Sequence, residues 1–271
     1  MSTYRALKGY SIKKVTSDPT NPKEGQVWYN STELKIKGRL TIGAAFASGG
    51  NLPAAKNDGA GAGTLTAGLQ FGSSRVPDSP NSGGLSTQDS TFEYDGSSWT
   101  AGGDMNTGRT TFGGTGTQTA ALAFGGRITN NPFTYTANSE EYDGSSWTEG
   151  NNLNTGRAGA GSSSTTSTSA LAFGGEAPDY TAATESWDGT VWTEVSDLSN
   201  GGPGISASGD SELALAFAGH PSFIATNEAW NGTAWTEVGD LATGRNFAGS
   251  SNNTGNTSAF IASGEGSPGF L

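Results

Sequence analysis

Cysteine is absent and histidine occurs once, as His220. Without thiols there can be no disulfide scaffold, no thiolate zinc site and no cysteine nucleophile. One imidazole argues against a histidine-rich metal centre and against a Ser-His-Asp relay. Charged residues are scarce at 14%, where about a quarter is usual. No apolar run reaches the roughly 18 residues that a membrane-spanning helix needs. The N-terminus carries lysines but no apolar stretch of the signal-peptide kind, so no secretory leader is expected. Glycine is abundant instead, at 43 of 271 residues. This composition favours a glycine-rich all-β body with no cofactor, no metal and little equipment for catalysis.

The net charge of -11 hides an asymmetry. Residues 1–56 hold nine Lys and Arg against three carboxylates, whereas residues 57–271 hold five arginines, 22 carboxylates and no lysine. An acidic body repels nucleic acid and anionic membrane, since phosphate binding requires dense positive charge. The basic segment suits docking on an acidic surface, and residues 1–25 are expected to form an attachment arm ahead of a body spanning 26–271.

A repeat organises the body. Tyr94-Asp95-Gly96-Ser97-Ser98-Trp99-Thr100 returns as Tyr142-Asp143-Gly144-Ser145-Ser146-Trp147-Thr148, then with Trp187-Asp188-Gly189 and Trp192, then with Trp230-Asn231-Gly232 and Trp235. The steps are 48, 45 and 43 residues, a period of solenoids and propellers. Between these phrases recur Ala121-Leu122-Ala123-Phe124-Gly125-Gly126, Ala170-Leu171-Ala172-Phe173-Gly174-Gly175 and Ala214-Leu215-Ala216-Phe217-Ala218-Gly219. A third phrase places Arg109, Arg157 and Arg245 after Thr-Gly, with Lys56 in the matching place earlier.

Each phrase has a mechanical meaning. Asp-Gly between aromatic-bearing runs predicts a hairpin with a type I′ turn, which needs positive φ at both central residues. Ala-Leu-Ala-Phe reads as a strand buried on both faces, ended by its glycines. The Arg-plus-glycine stretch suits an inner strand with little room for side chains. Four strands in about 45 residues describe one propeller blade. Five inner-plus-apolar pairs begin near Asp58, Thr110, Ala158, Pro203 and Asn246, and hairpins follow the first four. The orphan N-terminal hairpin, Val27–Thr32 to Glu33–Ile36 or a second candidate ending at Phe46, is expected to complete the C-terminal blade and close the ring. Closure would remove free sheet edges. Trp99, Trp147, Trp192 and Trp235 share one repeat position and are expected to pack blade on blade rather than stack ligand.

The order of Arg–Gly-rich strand, apolar strand, Gly-Gly, Tyr, turn and Trp resembles the kelch repeat of galactose-oxidase-like β-propellers over about residues 50–265. Gly125-Gly126 and Gly174-Gly175, with Tyr94/Trp99 and Tyr142/Trp147, carry it. The copper chemistry of that group does not transfer, because its Tyr–Cys crosslink has no cysteine here. The phrase Ser17-Asp18-Pro19-Thr20-Asn21-Pro22-Lys23-Glu24-Gly25-Gln26-Val27-Trp28-Tyr29-Asn30-Ser31-Thr32 resembles the leader of virion structural, tail-fibre-like proteins of marine tailed bacteriophages. That resemblance implies a virion component exposed on the particle and concerned with host contact or appendage building; residues 1–25 are expected to join it to other virion proteins, in multiple copies per particle. It names no catalytic residue.

Recognition is expected on one face. In a four-stranded blade, the second-to-third loops and the blade-to-blade loops emerge together, and loops on a rigid scaffold are where recognition tends to sit. The former are Ser73–Ser90, Arg127–Ser139, Glu176–Thr184 and His220–Asn227, carrying Phe133, Tyr135, Tyr180, His220 and Phe223; the latter carry Arg109, Arg157 and Arg245. Aromatics with amides and arginines suit a host surface saccharide or another virion protein. A propeller glycosidase is the competing reading, and a purely architectural spacer the third. Ser186-Trp187-Asp188-Gly189-Thr190-Val191-Trp192 comes near a sialidase box but lacks one residue between Asp and Gly.

Overall fold

The computed structural model describes residues 13–20, 27–38, 49–75, 86–130, 132–221, 223–250 and the short stretches 259, 261–262, 264–266 and 269–270. The chain divides into two compact units, Met1–Ser48 and Gly49–Leu271. Among the described residues every regular element is a strand.

The first unit holds β1 (Lys13–Val15), β2 (Val27–Asn30) and β3 (Lys35–Gly38) in one sheet, with β2 central, β1 parallel to it and β3 antiparallel. Asp18 ties it together. Its Oδ1 accepts the Trp28 indole N–H at 2.9 Å and the Asn30 amide N–H at 2.8 Å. The buried Asn30 in turn accepts the backbone N–H groups of Thr32 and Glu33 at 3.0 and 3.1 Å, which fixes the turn. The stretch Lys13–Thr20, placed in an attachment arm ending at residue 25, supplies a strand and a key acceptor to the sheet, so the division falls after Ser48. The hairpin Val27–Gly38 takes β1 as its partner strand. The second candidate, ending at Phe46, lies outside the described residues.

The second unit is propeller-like, built from antiparallel four-stranded sheets in succession. The first is β4 (Ala60–Thr64), β5 (Ala67–Arg75), β6 (Ser86–Tyr94) and β7 (Trp99–Ala101). The second begins with β8 (Gly113–Thr117) and β9 (Ala120–Phe124). A small hairpin, β10 (Arg127–Asn130) and β11 (Phe133–Tyr135), interrupts it before β12 (Ser139–Tyr142) and β13 (Trp147–Glu149) complete it. The third is β14 (Gly161–Ser163), β15 (Ala170–Phe173), β16 (Thr184–Trp187) and β17 (Trp192–Glu194); the fourth is β18 (Ser206–Gly209), β19 (Ala214–Phe217), β20 (Asn227–Trp230) and β21 (Trp235–Val238). After them come β22 (Arg245–Asn246), β23 (Gly249–Ser250), β24 (Ile261–Ala262), β25 (Glu265–Gly266) and β26 (Gly269–Phe270), with β23 paired to β24 and β25 between β22 and β26.

The apolar strands β9, β15 and β19 are sandwiched between neighbours, so side chains on both faces are removed from water. Tryptophans stitch the sheets together. The ring of Trp147 sits 4.9 Å from Phe71 of the preceding sheet, Trp192 sits 4.8 Å from Phe124, and Trp235 sits 4.9 Å from Phe173. Trp147 and Trp192 are 5% exposed. Trp235 and Trp99 are only half-buried, and the ring neighbour of Trp99 is Tyr94 of its own sheet.

The hairpin tips differ from the expected type I′ form. Only the glycine has positive φ, near 90° at Gly96, Gly144, Gly189 and Gly232, and the preceding Asp or Asn does not. Tyr94 pairs with Trp99 across a four-residue loop, as Tyr142 does with Trp147. The reason is the Asp side chain. Asp95 Oδ1 accepts the N–H groups of Ser97 and Ser98, both at 2.8 Å, an Asx-type turn that replaces the two-residue geometry. These bonds hold the Asp95, Asp143 and Asp188 carboxyls below the usual carboxylate range. Asp210 forms the same structure without an Asp-Gly signal, accepting the N–H groups of Glu212 and Leu213.

A feature unforeseen from sequence runs around the inner strands. Asp58, Thr111, Gly159, Gly204 and Phe247 occupy equivalent stations, and each has a left-handed φ between 48° and 76°. They are linked in a backbone chain. Thr111 N–H donates to the Asp58 carbonyl at 3.0 Å, Gly159 to Thr111 at 2.8 Å, Gly204 to Gly159 at 3.0 Å and Phe247 to Gly204 at 3.1 Å. A cavity of about 430 Å³ lies against this chain, lined among others by Thr111, Phe112, Gly159, Gly204, Ile205 and Phe247. Only glycine adopts such φ without steric cost, and a β-branched residue there is an outlier. Thr111→Gly is therefore expected to raise stability by about 1 kcal/mol. Gly159→Ala is expected to lower it, since the new Cβ would lie 2.7 Å from Pro203 Cβ. Urea unfolding of both variants checks the signs; a destabilised Thr111→Gly would show that the hydroxyl, not the backbone, governs this station.

Candidate functional site

The three arginines placed on the recognition face have other duties. Arg109 is 0% and Arg157 1% exposed. Arg109 ion-pairs with Glu140 and Arg157 with Glu185 at 2.5 Å. Each guanidinium also donates to backbone carbonyls, Arg109 to Asn138 at 2.6 Å and Arg157 to Ala183 at 2.7 Å. The glutamates are filled in turn. Glu140 accepts the Asn106 N–H at 2.6 Å and Glu185 the Asn154 N–H at 2.7 Å. Burial pushes the Arg109 guanidinium below its ordinary value and Glu140 opposes the shift. Neither arginine can touch a ligand, which corrects their assignment as binding residues. Their backbone has a part too: the carbonyls of Arg109, Arg157, Gly202 and Arg245 accept N–H groups of Ser73, Gly126, Gly175 and Gly219 from the preceding sheets, at 2.7–3.1 Å. Arg245 is half-buried in β22, and its N–H donates to the Ile224 carbonyl at 3.3 Å.

The glutamate partners follow the repeat as well. Glu140, Glu185 and Glu228 each stand two residues before the aromatic that opens the hairpin. The first sheet varies the theme in the same register: Lys56 replaces the arginine, Phe92 replaces the glutamate, and the ammonium lies 5.3 Å from the ring centroid. The fourth sheet keeps Glu228 but has Gly202 at the arginine place, and Glu228 accepts the Ser199 N–H at 3.0 Å.

The two loop sets do emerge together. Met105 N–H donates to Asp89 C=O, Leu153 to Ala137, Leu198 to Ala182 and Leu241 to Ala225, each at 2.9–3.1 Å. On this face the structure joins several of the aromatic residues. Tyr180 meets His220 edge-on at 5.2 Å between ring centroids. Phe133 lies under the Arg127 guanidinium at 4.1 Å. Arg127 ion-pairs with Glu176, and Glu176 bridges to Tyr180 through the backbone. A contiguous strip thus runs Phe133, Arg127, Glu176, Tyr180, His220 over the second to fourth sheets. Phe133 is 52% and Tyr180 48% exposed. Tyr135, half-buried, sits in β11 opposite Arg127. Phe223 is half-buried in a left-handed conformation, φ 54°, on a loop whose backbone packs against Gly244, beside Arg245 and apart from the strip's ring contacts.

Chemically the strip offers two exposed aromatic faces, an internally compensated ion pair and one imidazole. Among the described residues no group of three His, Cys, Asp or Glu side chains is placed to hold a metal ion.

Comparison with known proteins adds the fold. No protein-family description and no curated protein matches the sequence. Solved structures do match. One of them, the structure of YjhT, superposes with a TM-score of 0.66 at 17% identity, covering 79% of each chain. At that identity the likeness is one of architecture.

Proposed function

We propose that this chain is a non-enzymatic bacteriophage virion protein of the tail-fibre-like kind, which presents the loop face of a propeller to a host surface. The observation that carries attachment is the strip from Phe133 to His220: two large aromatic faces stay exposed on loops whose supporting charges are already satisfied. Carboxylates that could do hydrolytic work are committed, Glu140 and Glu185 to buried arginines and Glu176 to Arg127. The virion reading rests on the leader phrase. Its Asp18, Trp28 and Asn30 form one hydrogen-bonded knot, so the phrase encodes a folded module suited to joining a larger particle. The test is adsorption of particles carrying Tyr135→Ala and Tyr180→Ala in this chain. Loss of most host-cell adsorption is expected; adsorption at the wild-type rate would remove the attachment role.

The propeller is read as five blades closed on themselves. Support comes from two glycine pairs. Gly102 follows β7 and lies against the second sheet's hairpin, where a Cβ would stand 2.7 Å from the Tyr142 hydroxyl oxygen; Gly49 lies likewise against the first sheet's hairpin, 2.8 Å from that of Tyr94. Trp99 stands three residues before the one glycine and Phe46 three before the other. The chain ahead of Gly49 thus carries the sequence register of an outer strand for the last blade. Deleting residues 26–50 is then expected to abolish cooperative unfolding of the remaining body, and a deletion variant melting like the full chain would refute closure.

A further inference from the structure

The repeat supplies its own internal comparison. A station with a shared structural duty keeps its chemistry from sheet to sheet, as the second-strand Phe does at Phe71, Phe124, Phe173 and Phe217 of the four complete sheets. The residue after the Gly-Gly does not. It is Ser74, Arg127, Glu176, His220 and Glu265 in turn. Its backbone position is nevertheless constant. Ser74 bridges Asn57, Arg127 bridges Thr110, Glu176 bridges Ala158, Glu265 pairs with Asn246, and His220 N–H donates to the Pro203 carbonyl at 3.0 Å. Each partner immediately precedes a link of the left-handed chain against the cavity. One backbone site therefore carries Ser, Arg, Glu, His and Glu in turn, each paired with a residue that precedes the left-handed chain. Sheet geometry does not ask for that variety.

Two further observations point to a ligand. Arg127 Nε and His220 Nδ1 are buried and meet no hydrogen-bond partner within the protein, a polarity that structural service alone leaves unused. Arg127 and Glu176 are also the only members of the series paired with each other, and exposed aromatic faces flank them at Phe133 and Tyr180.

We propose that Arg127, Glu176, Tyr180 and His220 form a binding site for a neutral saccharide unit on the loop face. This rests on the attachment reading and names its ligand class. The charge argument selects neutral sugars. The ion pair cancels itself, and residues 49–271 carry six Lys and Arg against 22 carboxylates, so an anionic sugar meets repulsion. A purely apolar ligand would strip water from the ion pair and the imidazole and return no hydrogen bonds. A hydroxylated ring both donates and accepts. Its hydroxyls can accept from the Arg127 guanidinium and donate to the second oxygen of the Glu176 carboxylate, while its C–H face covers Tyr180.

The test is binding of the intact chain to an array of neutral gluco-, galacto- and manno-oligosaccharides, beside uronic-acid and sulfated ones. Saturable binding to a neutral class is expected, reduced at least tenfold by Tyr180→Ala and by Glu176→Gln. Tyr180 is exposed, so its variant folds normally and keeps the test decisive if Glu176→Gln is unstable. No binding to any neutral sugar, binding confined to acidic sugars, or full binding by Tyr180→Ala would each overturn the proposal. The attachment reading fails separately: particles that still lose adsorption on Tyr180→Ala, while the chain ignores every sugar, would keep attachment and reject the saccharide.

Discussion

Glu185→Ala is expected to destabilise the second unit by about 3–5 kcal/mol, because it leaves Arg157 charged, 1% exposed and without its carboxylate. The loss is wider than one ion pair. Glu185 also receives the Asn154 N–H at 2.7 Å and the Asn154 side-chain amide at 3.0 Å. Those donors cannot reach water easily once the acceptor is gone. A domain stable by about 5–15 kcal/mol can lose most of its margin this way. Replacing both partners should behave differently, since a buried pair often exchanges for apolar packing at little cost. The molecule contains its own precedent in Lys56 over Phe92. Arg157→Lys with Glu185→Phe is therefore expected to recover more than half of the loss. Urea unfolding followed by fluorescence and by circular dichroism measures both. A single variant losing under about 1 kcal/mol would mean that water reaches Arg157 and that the pair is worth no more than a surface bridge.

Trp192→Ala is expected to cost about 3–5 kcal/mol, the range for deleting a large buried aromatic. Its ring contacts Phe124 at 4.8 Å and Trp187 at 5.4 Å, and its indole N–H donates to Ser139 Oγ at 2.9 Å. The substitution opens a cavity between two sheets and strands a buried hydroxyl. Trp99→Ala, at the equivalent repeat position, is expected to cost only about 1–2 kcal/mol. Trp99 is half-buried and its ring partner is Tyr94 of the same hairpin, at 4.9 Å. Equal losses in the two variants would show that the first sheet's outer face is covered as fully as the others.

Much of the architecture was written in local pattern. The aromatic–Asp/Asn-Gly–Trp phrase located the outer hairpin of each of the four complete sheets, and Ala-Leu-Ala-Phe located the buried strands of three of them. The match of Lys56 with Arg109, read from spacing alone, is realised in space, where each cation faces the equivalent place on the third strand. Turn type was less legible. Asp-Gly names two adjacent residues, but the Asp95 carboxylate reaches the N–H groups of Ser97 and Ser98, and that side-chain bond selects the longer loop.

The loop face was partly legible. The loops carrying Tyr180 and His220 are adjacent, and the two rings meet. Arg127 and Glu176 stand at loop edges, where periodicity gives no sign of their pairing. Arg109 and Arg157 were misplaced for the opposite reason: repetition showed that they matter but not which way they face.

Sequence alone determined the period, the strand content and the aromatic stations, because hydrophobic alternation and turn chemistry act within a few residues. Only the tertiary structure decided that the arginines are interior, that β1 takes the N-terminal hairpin, and that left-handed residues from successive sheets join in one chain. Those outcomes depend on partners about 15 to 50 positions away, Trp28 for Lys13, Glu185 for Arg157 and Asp58 for Thr111. A side chain's burial and a carbonyl's donor are properties of the packed sheets, and no short stretch of sequence carries them.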